Sequence, residues 1–229
     1  MGGQAGGDVA SRLVMDSLAE LAPTLGGIAS APDLHEEERA TDRLTTMAEQ
    51  AHASILTHAA QHPSLYGMGT TLVMAHLLPL PKPRLLVLNV GDSRAYLVRA
   101  GTLTQLTRDH TLIEEYVRDG RLTPTQAACH PNRHVLTRAM GLAPHLESDL
   151  FFFDLLDGDL LLLCSDGLTK MLTDERILQT VRPHRHIPSL ATQALIHTAL
   201  DAGGIDNVTV VACAKHSNTS LAGTAPTHP

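Results

Sequence analysis

Asp92, Asp166 and Asp206 each stand at the start or end of an apolar run, beside a small residue or an amide. They lie in Leu86-Val-Leu-Asn-Val-Gly-Asp-Ser-Arg94, Leu160-Leu-Leu-Leu-Cys-Ser-Asp-Gly-Leu168 and Gly203-Gly-Ile-Asp-Asn-Val-Thr-Val-Val211. A carboxylate at the mouth of a buried strand is costly unless something compensates its charge, so several converging there point to hard cations held by oxygen ligands. A metal pair held by carboxylates is in turn a means of hydrolysing phosphate esters. Taken singly none of the three decides this, because a lone Asp beside Gly is more often a turn former or a helix cap.

The elements that must position these residues can be read from periodicity and punctuation. Val9, Ala10, Leu13, Val14, Leu18 and Leu21 recur at helical spacing over Asp8 to Leu21, and Ala22 to Pro32 reads as a Pro/Gly-rich loop. Asp33 with Glu36 resembles a capping box opening a longer helix that carries Leu44, Met47, Ala48, Ala51 and Ile55 to about Ala60. Four short runs follow as strands: Thr70 to Leu78, Leu85 to Val90, Ala95 to Arg99 and Leu103 to Thr107. Their connections are short enough to predict antiparallel neighbours, yet their apolar runs are nearly continuous, as for strands covered on both faces. Two stacked antiparallel sheets with helices outside satisfy both conditions, which makes the fold class α+β, a four-layer α/β/β/α sandwich. Thr111 with Glu114 and Thr123-Pro-Thr-Gln126 mark two further helix starts within a helical excursion spanning Asp109 to Gly141. Strands near Leu150 to Leu155 and Leu160 to Cys164, helices near Asp174 to Val181 and Pro188 to Ala202, and a last strand from Asn207 to Ala214 complete the domain.

Composition narrows the function classes. A chain of 229 residues reads as one domain, and 17 Lys plus Arg against 24 Asp plus Glu gives a net charge of -7. Without a basic stripe carrying aromatics, nucleic acid is not an expected partner. Cys129, Cys164 and Cys213 are odd in number and contain no Cys-x-x-Cys pair, which argues against a disulfide framework or structural zinc and fits a reducing cytoplasm. Cys164 and Cys213 read as buried small hydrophobes. No apolar run approaches the roughly 20 residues of a membrane helix, so no membrane partner is expected. The segment from His216 to Pro229, rich in Ser, Thr, Gly and Pro, reads as a disordered tail after a domain of residues 1–215.

Gly-Asp-Ser-Arg, Ser-Asp-Gly-Leu and Gly-Gly-x-Asp-Asn, each attached to a strand that such a sandwich can bring to one edge, together resemble the metal-dependent PP2C (PPM) family of protein serine/threonine phosphatases. Its bacterial members look most similar, and the resemblance runs from Met1 to about Ala214. Met1-Gly-Gly-Gln-Ala-Gly-Gly-Asp-Val-Ala-Ser11 looks like the family's Gly-rich turn into the first helix, and Gly67-Met-Gly-Thr-Thr71 like its strand entrance. Asp109-His-Thr111 and His130-Pro-Asn-Arg-His-Val-Leu-Thr-Arg138 with Gly141 look like its flap. The resemblance implies that Asp166 and Asp206 ligate a first divalent ion, Mn²⁺ or Mg²⁺, and that Asp92 with Asp166 serves a third, weaker position. Two main ions would activate a water against a phosphoserine or phosphothreonine without a phosphoenzyme. Asn207 and Ser165 are implied as orienters of the ligands, with a turn-stabilising role weighing equally. A phosphoprotein substrate and a partner serine/threonine kinase are the partners implied.

The chain also departs from the family pattern. There, the Met-Gly-Gly turn follows an Asp-Gly pair whose carboxylate bridges both main metals; here Met1 comes first, and Gln4 stands where many bacterial members carry His. Of two explanations, a start assigned at an internal Met is favoured over a chain that truly begins there, since deleting central strands would expose a sheet edge and an unfilled core. Two other functional readings stand beside the phosphatase: a noncatalytic phosphatase-like module that binds or regulates a partner, and an unrelated cation-binding sandwich. Other constellations weigh less. His130, His134 and Cys129 flank Pro131, which breaks any helix that would align them on a metal, and Arg94 reads as the partner of a nearby carboxylate.

Overall fold

The structure, a computed structural model, describes residues 3–25, 35–78 and 82–215. Asp33 and the expected tail from His216 onward lie outside the described residues. Two helices come first, α1 (Gly3–Leu21) and α2 (Glu36–Gln61). Helix α1 opens five residues before the expected Asp8 and runs through Gly6 and Gly7, the first of which is buried. Packing of Ala10 and Val14 against α2 residues in one cluster overrides the poor helix propensity of glycine. The N-cap of α2 is His35, with no side-chain cap bond, and the expected box on Asp33 falls outside the described residues.

Among the described residues seven strands form two antiparallel sheets. β1 (Leu72–Leu78), β2 (Arg84–Val90) and β5 (Asp149–Asp154) make one, in the order β1-β2-β5. β3 (Arg94–Arg99), β4 (Thr102–Gln105), β6 (Leu160–Cys164) and β7 (Val210–Ala214) make the other, in the order β4-β3-β6-β7. Strand β1 starts later than expected because Thr70 pairs with Met140 instead, through N–H to O bonds of 3.2 and 2.9 Å in the two directions. Strand β7 starts later than Asn207 for a similar reason: the preceding residues are held by Ser165 and not by a ladder.

Alternation along each central strand sorts its side chains into layers. Leu86, Leu88 and Val90 of β2 face α1 and α2, whereas Leu85 and Val87 join Ala95, Leu97 and Leu161 between the sheets. Tyr96, Val98, Leu160 and Leu162 turn outward to Leu168, Ile177, Val181, Ala191 and Leu195. Those last residues lie on α5 (Asp166–Thr169), α6 (Asp174–Val181) and α7 (Pro188–Asp201). The four layers therefore follow the expected order. Helices α3 (Leu112–Arg118) and α4 (Pro124–Ala128) form the excursion; Thr111 accepts from Glu114 N–H, and Thr123 and Gln126 close a reciprocal capping box.

One expectation fails usefully. The short link between β2 and β3 does not make them neighbours; at Gly91-Asp92-Ser93 the chain crosses from one sheet to the other. Gly91 has φ +103°, a conformation other residues avoid, and a Cβ there would lie 2.4 Å from Thr71 Cγ2. Cys213 is also exposed, contrary to the sequence reading. It sits with Val211 on the outermost strand of its sheet, and Val211 is 56% exposed while the central strands are buried.

Candidate active site

Topology brings the three aspartates to one end of the second sheet. In an antiparallel sheet the start of one strand lies beside the end of its neighbour, and the register sets Arg94 opposite Cys164 and Cys164 opposite Val210. Asp92 precedes β3 by two residues, Asp166 follows β6 by two and Asp206 precedes β7 by four, so all three fall at that edge.

Each is anchored by its surroundings. The crossing that carries Asp92 is pinned on both sides of Gly91, whose N–H donates to His110 Nδ1 at 3.1 Å and whose carbonyl accepts from His110 N–H at 3.0 Å. Asn89 Nδ2 donates to the Gly91 carbonyl at 3.2 Å and to that of Arg108 at 2.9 Å, and the Thr71 and Ser93 hydroxyls meet at 2.8 Å. Because His110 Nδ1 accepts, its proton is on Nε2, facing Asp149 Oδ2 at 3.4 Å; burial, then the Arg138 charge, holds this imidazole below its ordinary pKa.

Ser165 joins the other two loops. Its N–H donates to Thr209 O at 3.1 Å, its hydroxyl donates to Asn207 O at 3.3 Å and accepts from Thr209 N–H at 3.0 Å. Gly167 lets Asn207 approach so closely that a Cβ would lie 2.2 Å from the Asn207 carbonyl oxygen. Asn207 takes part through its backbone, its N–H donating to Asp206 Oδ1 at 2.8 Å.

Asp166 and Asp206 converge on a group the sequence reading had passed over. Lys170 Nζ lies 2.6 Å from Asp166 Oδ2 and 2.6 Å from Asp206 Oδ2. Burial opposes the charged lysine, but its hydrogen bonds to the two carboxylates outweigh that and raise its pKa. The Lys170 hydrogen bond correspondingly lowers the Asp206 carboxyl. Asp92 makes neither contact. Burial first, then the charges of Asp166 and Asp109, push its carboxyl up to about 6. Arg94 does not relieve it, because the guanidinium is engaged by Asp109, Nε at 2.9 Å and Nη2 at 2.7 Å, and by Tyr96 OH at 2.8 Å. This bears out Arg94 as the partner of a nearby carboxylate.

A cleft of about 1060 Å³ opens over this edge, lined by Asp92, Asp109, Arg133, Asp166, Lys170 and Asp206 among others. A second hollow of about 340 Å³ reaches the same aspartates from the side of Gly7, Gly69 and Thr71. His134 lines both, and with Arg133 it places the exposed turn after Pro131 over the acidic edge. Two carboxylates meeting at one cationic point, with a third, largely buried carboxyl lining the same cleft, are hard oxygen donors of the kind a divalent ion such as Mn²⁺ or Mg²⁺ takes. Asp92, Asp166 and Asp206 do not make a complete ligand group by themselves: among the described residues no cluster of three or more His, Cys, Asp or Glu side chains could hold a metal ion.

Comparison with known proteins places this architecture. A family model described as protein phosphatase 2C matches residues 1–201. The chain belongs to the protein phosphatase 2C family. It is 40% identical over 216 residues to the serine/threonine protein phosphatase PstP of Mycobacterium tuberculosis, covering 92% of this chain and 38% of that protein. It is 35% identical over 211 residues to the serine/threonine phosphatase stp of Listeria welshimeri, covering 92% of this chain and 80% of that one. The crystal structure of the PstP catalytic domain in complex with two manganese ions superposes with a TM-score of 0.74 at 38% identity, over 93% of this chain and 83% of that one. The family's fold of two antiparallel sheets flanked by helices is the fold described above. No helix among the described residues is long and apolar enough to cross a membrane.

Proposed function

We propose that this domain is a metal-dependent protein serine/threonine phosphatase acting on phosphoserine or phosphothreonine. The observation that carries the proposal is the convergence of Asp166 and Asp206, from two separate loops, on one cationic point at the floor of an open cleft. Family membership supports the reading, as does the pair of manganese ions in the PstP relative. Asp166 and Asp206 would hold one Mn²⁺ or Mg²⁺, and Asp92 with Asp166 a further, weaker position. The chemistry such ions supply when bound is activation of water toward phosphorus and neutralisation of phosphoryl charge.

The chain's own residues supply the placement. Ser165 and the backbone of Asn207 fix the two ligand loops relative to one another, a positioning role that combines both sequence readings of these residues. His110 and Asn89 fix the crossing that carries Asp92. Arg133 and His134 stand at the cleft, where a phosphopeptide would lie over the carboxylates. A phosphoprotein is the expected substrate and a serine/threonine kinase the expected functional partner.

The test is Mn²⁺-dependent hydrolysis of a phosphothreonine peptide, with Asp166→Asn as the comparison. Loss of a ligand carboxylate should lower turnover about 100-fold or more. Hydrolysis that survives the substitution, or that needs no divalent ion, would overturn the mechanism. A noncatalytic, phosphopeptide-binding module is the second reading, favoured by the ammonium of Lys170 standing between the two ligands. It predicts peptide binding without turnover at any Mn²⁺ concentration.

A further inference from the structure

We propose that Lys170 is a built-in counter-cation for the metal centre, whose ammonium holds Asp166 and Asp206 together in the metal-free protein and competes with the divalent ion for the point between them. The inference rests on the reading of those two aspartates as ligands. Three observations support it. First, the placement is specific: Nζ is 2.6 Å from one oxygen of each carboxylate, and the side chain is only 21% exposed. Second, it is imposed by the helix. Lys170 N–H donates to the Asp166 carbonyl at 2.8 Å, which puts the lysine four residues along the same face from its first partner, and the loop of Asp206 supplies the second.

Third, the local charge favours a cation there. Asp92, Asp109, Asp166 and Asp206 all line the same cleft, and Asp109 is matched by Arg94. Two carboxylates facing one another without a cation would repel, which would load the hydrogen bonds by which Ser165 ties the two loops. The lysine removes that repulsion before any ion arrives. A divalent ion entering the same point meets a positive charge and must turn the ammonium aside. The flexible four-carbon stem allows this, with the larger cleft beside it. Lys170 thus has two opposed effects: it keeps the metal-free site assembled, and it weakens ion binding by the free energy of the two ion pairs that have to be broken.

Calorimetric titration of the chelator-treated 229-residue chain with MnCl₂, alongside Lys170→Met and Lys170→Arg, tests this. Lys170→Met should bind Mn²⁺ about tenfold more tightly, since two partly exposed ion pairs no longer oppose the ion. Its metal-free unfolding temperature should fall, and the rise on adding Mn²⁺ should grow. Lys170→Arg should retain nearly the original affinity. In the unaltered chain, labelling of Lys170 by an amine-reactive reagent, read by mass spectrometry, should increase when Mn²⁺ is added. Equal affinities for the original chain and Lys170→Met would overturn the inference and leave the metal reading standing, and weaker binding by Lys170→Met would overturn it by making the lysine a support. Failure of both to bind Mn²⁺ would remove the metal reading and this inference with it. Unchanged labelling would overturn it even if the methionine variant folds poorly.

Discussion

At the scale of single residues, the site depends on atoms that carry no charge. Ser165 makes three hydrogen bonds between the loops that bear Asp166 and Asp206, and only its side chain connects to both Asn207 and Thr209. Ser165→Ala should therefore weaken Mn²⁺ binding about 10-fold by loosening the ligands, while the fold persists. Titration calorimetry together with far-ultraviolet circular dichroism would separate the two effects; an unchanged affinity would show that the backbone alone holds the loops. The aspartates themselves were readable because their short contexts are distinctive. Lys170 was not, since a lysine on a short helix ordinarily points to water, and only the Asp206 loop returning from a distant part of the sequence gives it a second partner. Arg94 was readable as paired, but its partner Asp109 is set by folding.

Among the elements, the junctions matter more than the strands they join. Gly167 is the first-turn residue of α5 at which the backbone of the Asp206 loop comes nearest, and the atom a Cβ would strike is a carbonyl oxygen 2.2 Å away. Backbone cannot rotate aside as a side chain can. Gly167→Ala should thus cost about 2 kcal/mol of stability and lower Mn²⁺ affinity about tenfold by forcing the ligand loops apart. Chemical denaturation and metal titration of the variant would measure both, and a neutral outcome would mean that the loop has slack. The capping box at Thr123 and the strand cores followed from local pattern because they are local: Thr123 and Gln126 satisfy one another within four residues. The crossing at Gly91 did not, because whether a tight link makes a hairpin or a change of sheet depends on what lies across from it, here Thr71, His110 and Asn89.

For the molecule as a whole, the two ends of the second sheet do different work. The aspartate edge gathers negative charge, whereas the opposite end is locked by Asp159, 2% exposed, which accepts from Arg99 at 2.6 and 2.8 Å and from Leu156 N–H at 2.7 Å. Burial opposes ionisation of Asp159, but the Arg99 and Leu156 hydrogen bonds and the nearby positive charges prevail and hold its carboxyl below the ordinary range. A carboxyl lowered by folding stabilises the native state above its unfolded pKa and ceases to do so as the pH falls through the folded one. Asp159→Asn should therefore cost about 2 kcal/mol at neutral pH, with the difference from the unaltered chain closing below about pH 4. Urea denaturation across that range is the measurement, and a gap that does not depend on pH would refute the assignment. The amino-acid sequence by itself determined the layers, because alternation and helical spacing record which face of each element avoids water, and it marked the three aspartates through their immediate neighbours. Tertiary structure alone decided that Asp166 and Asp206 meet on Lys170 while Asp92 is not paired with it. That outcome depends on strand order, on a sheet crossing and on the return of a remote loop, and contacts between distant residues leave no periodicity in the chain.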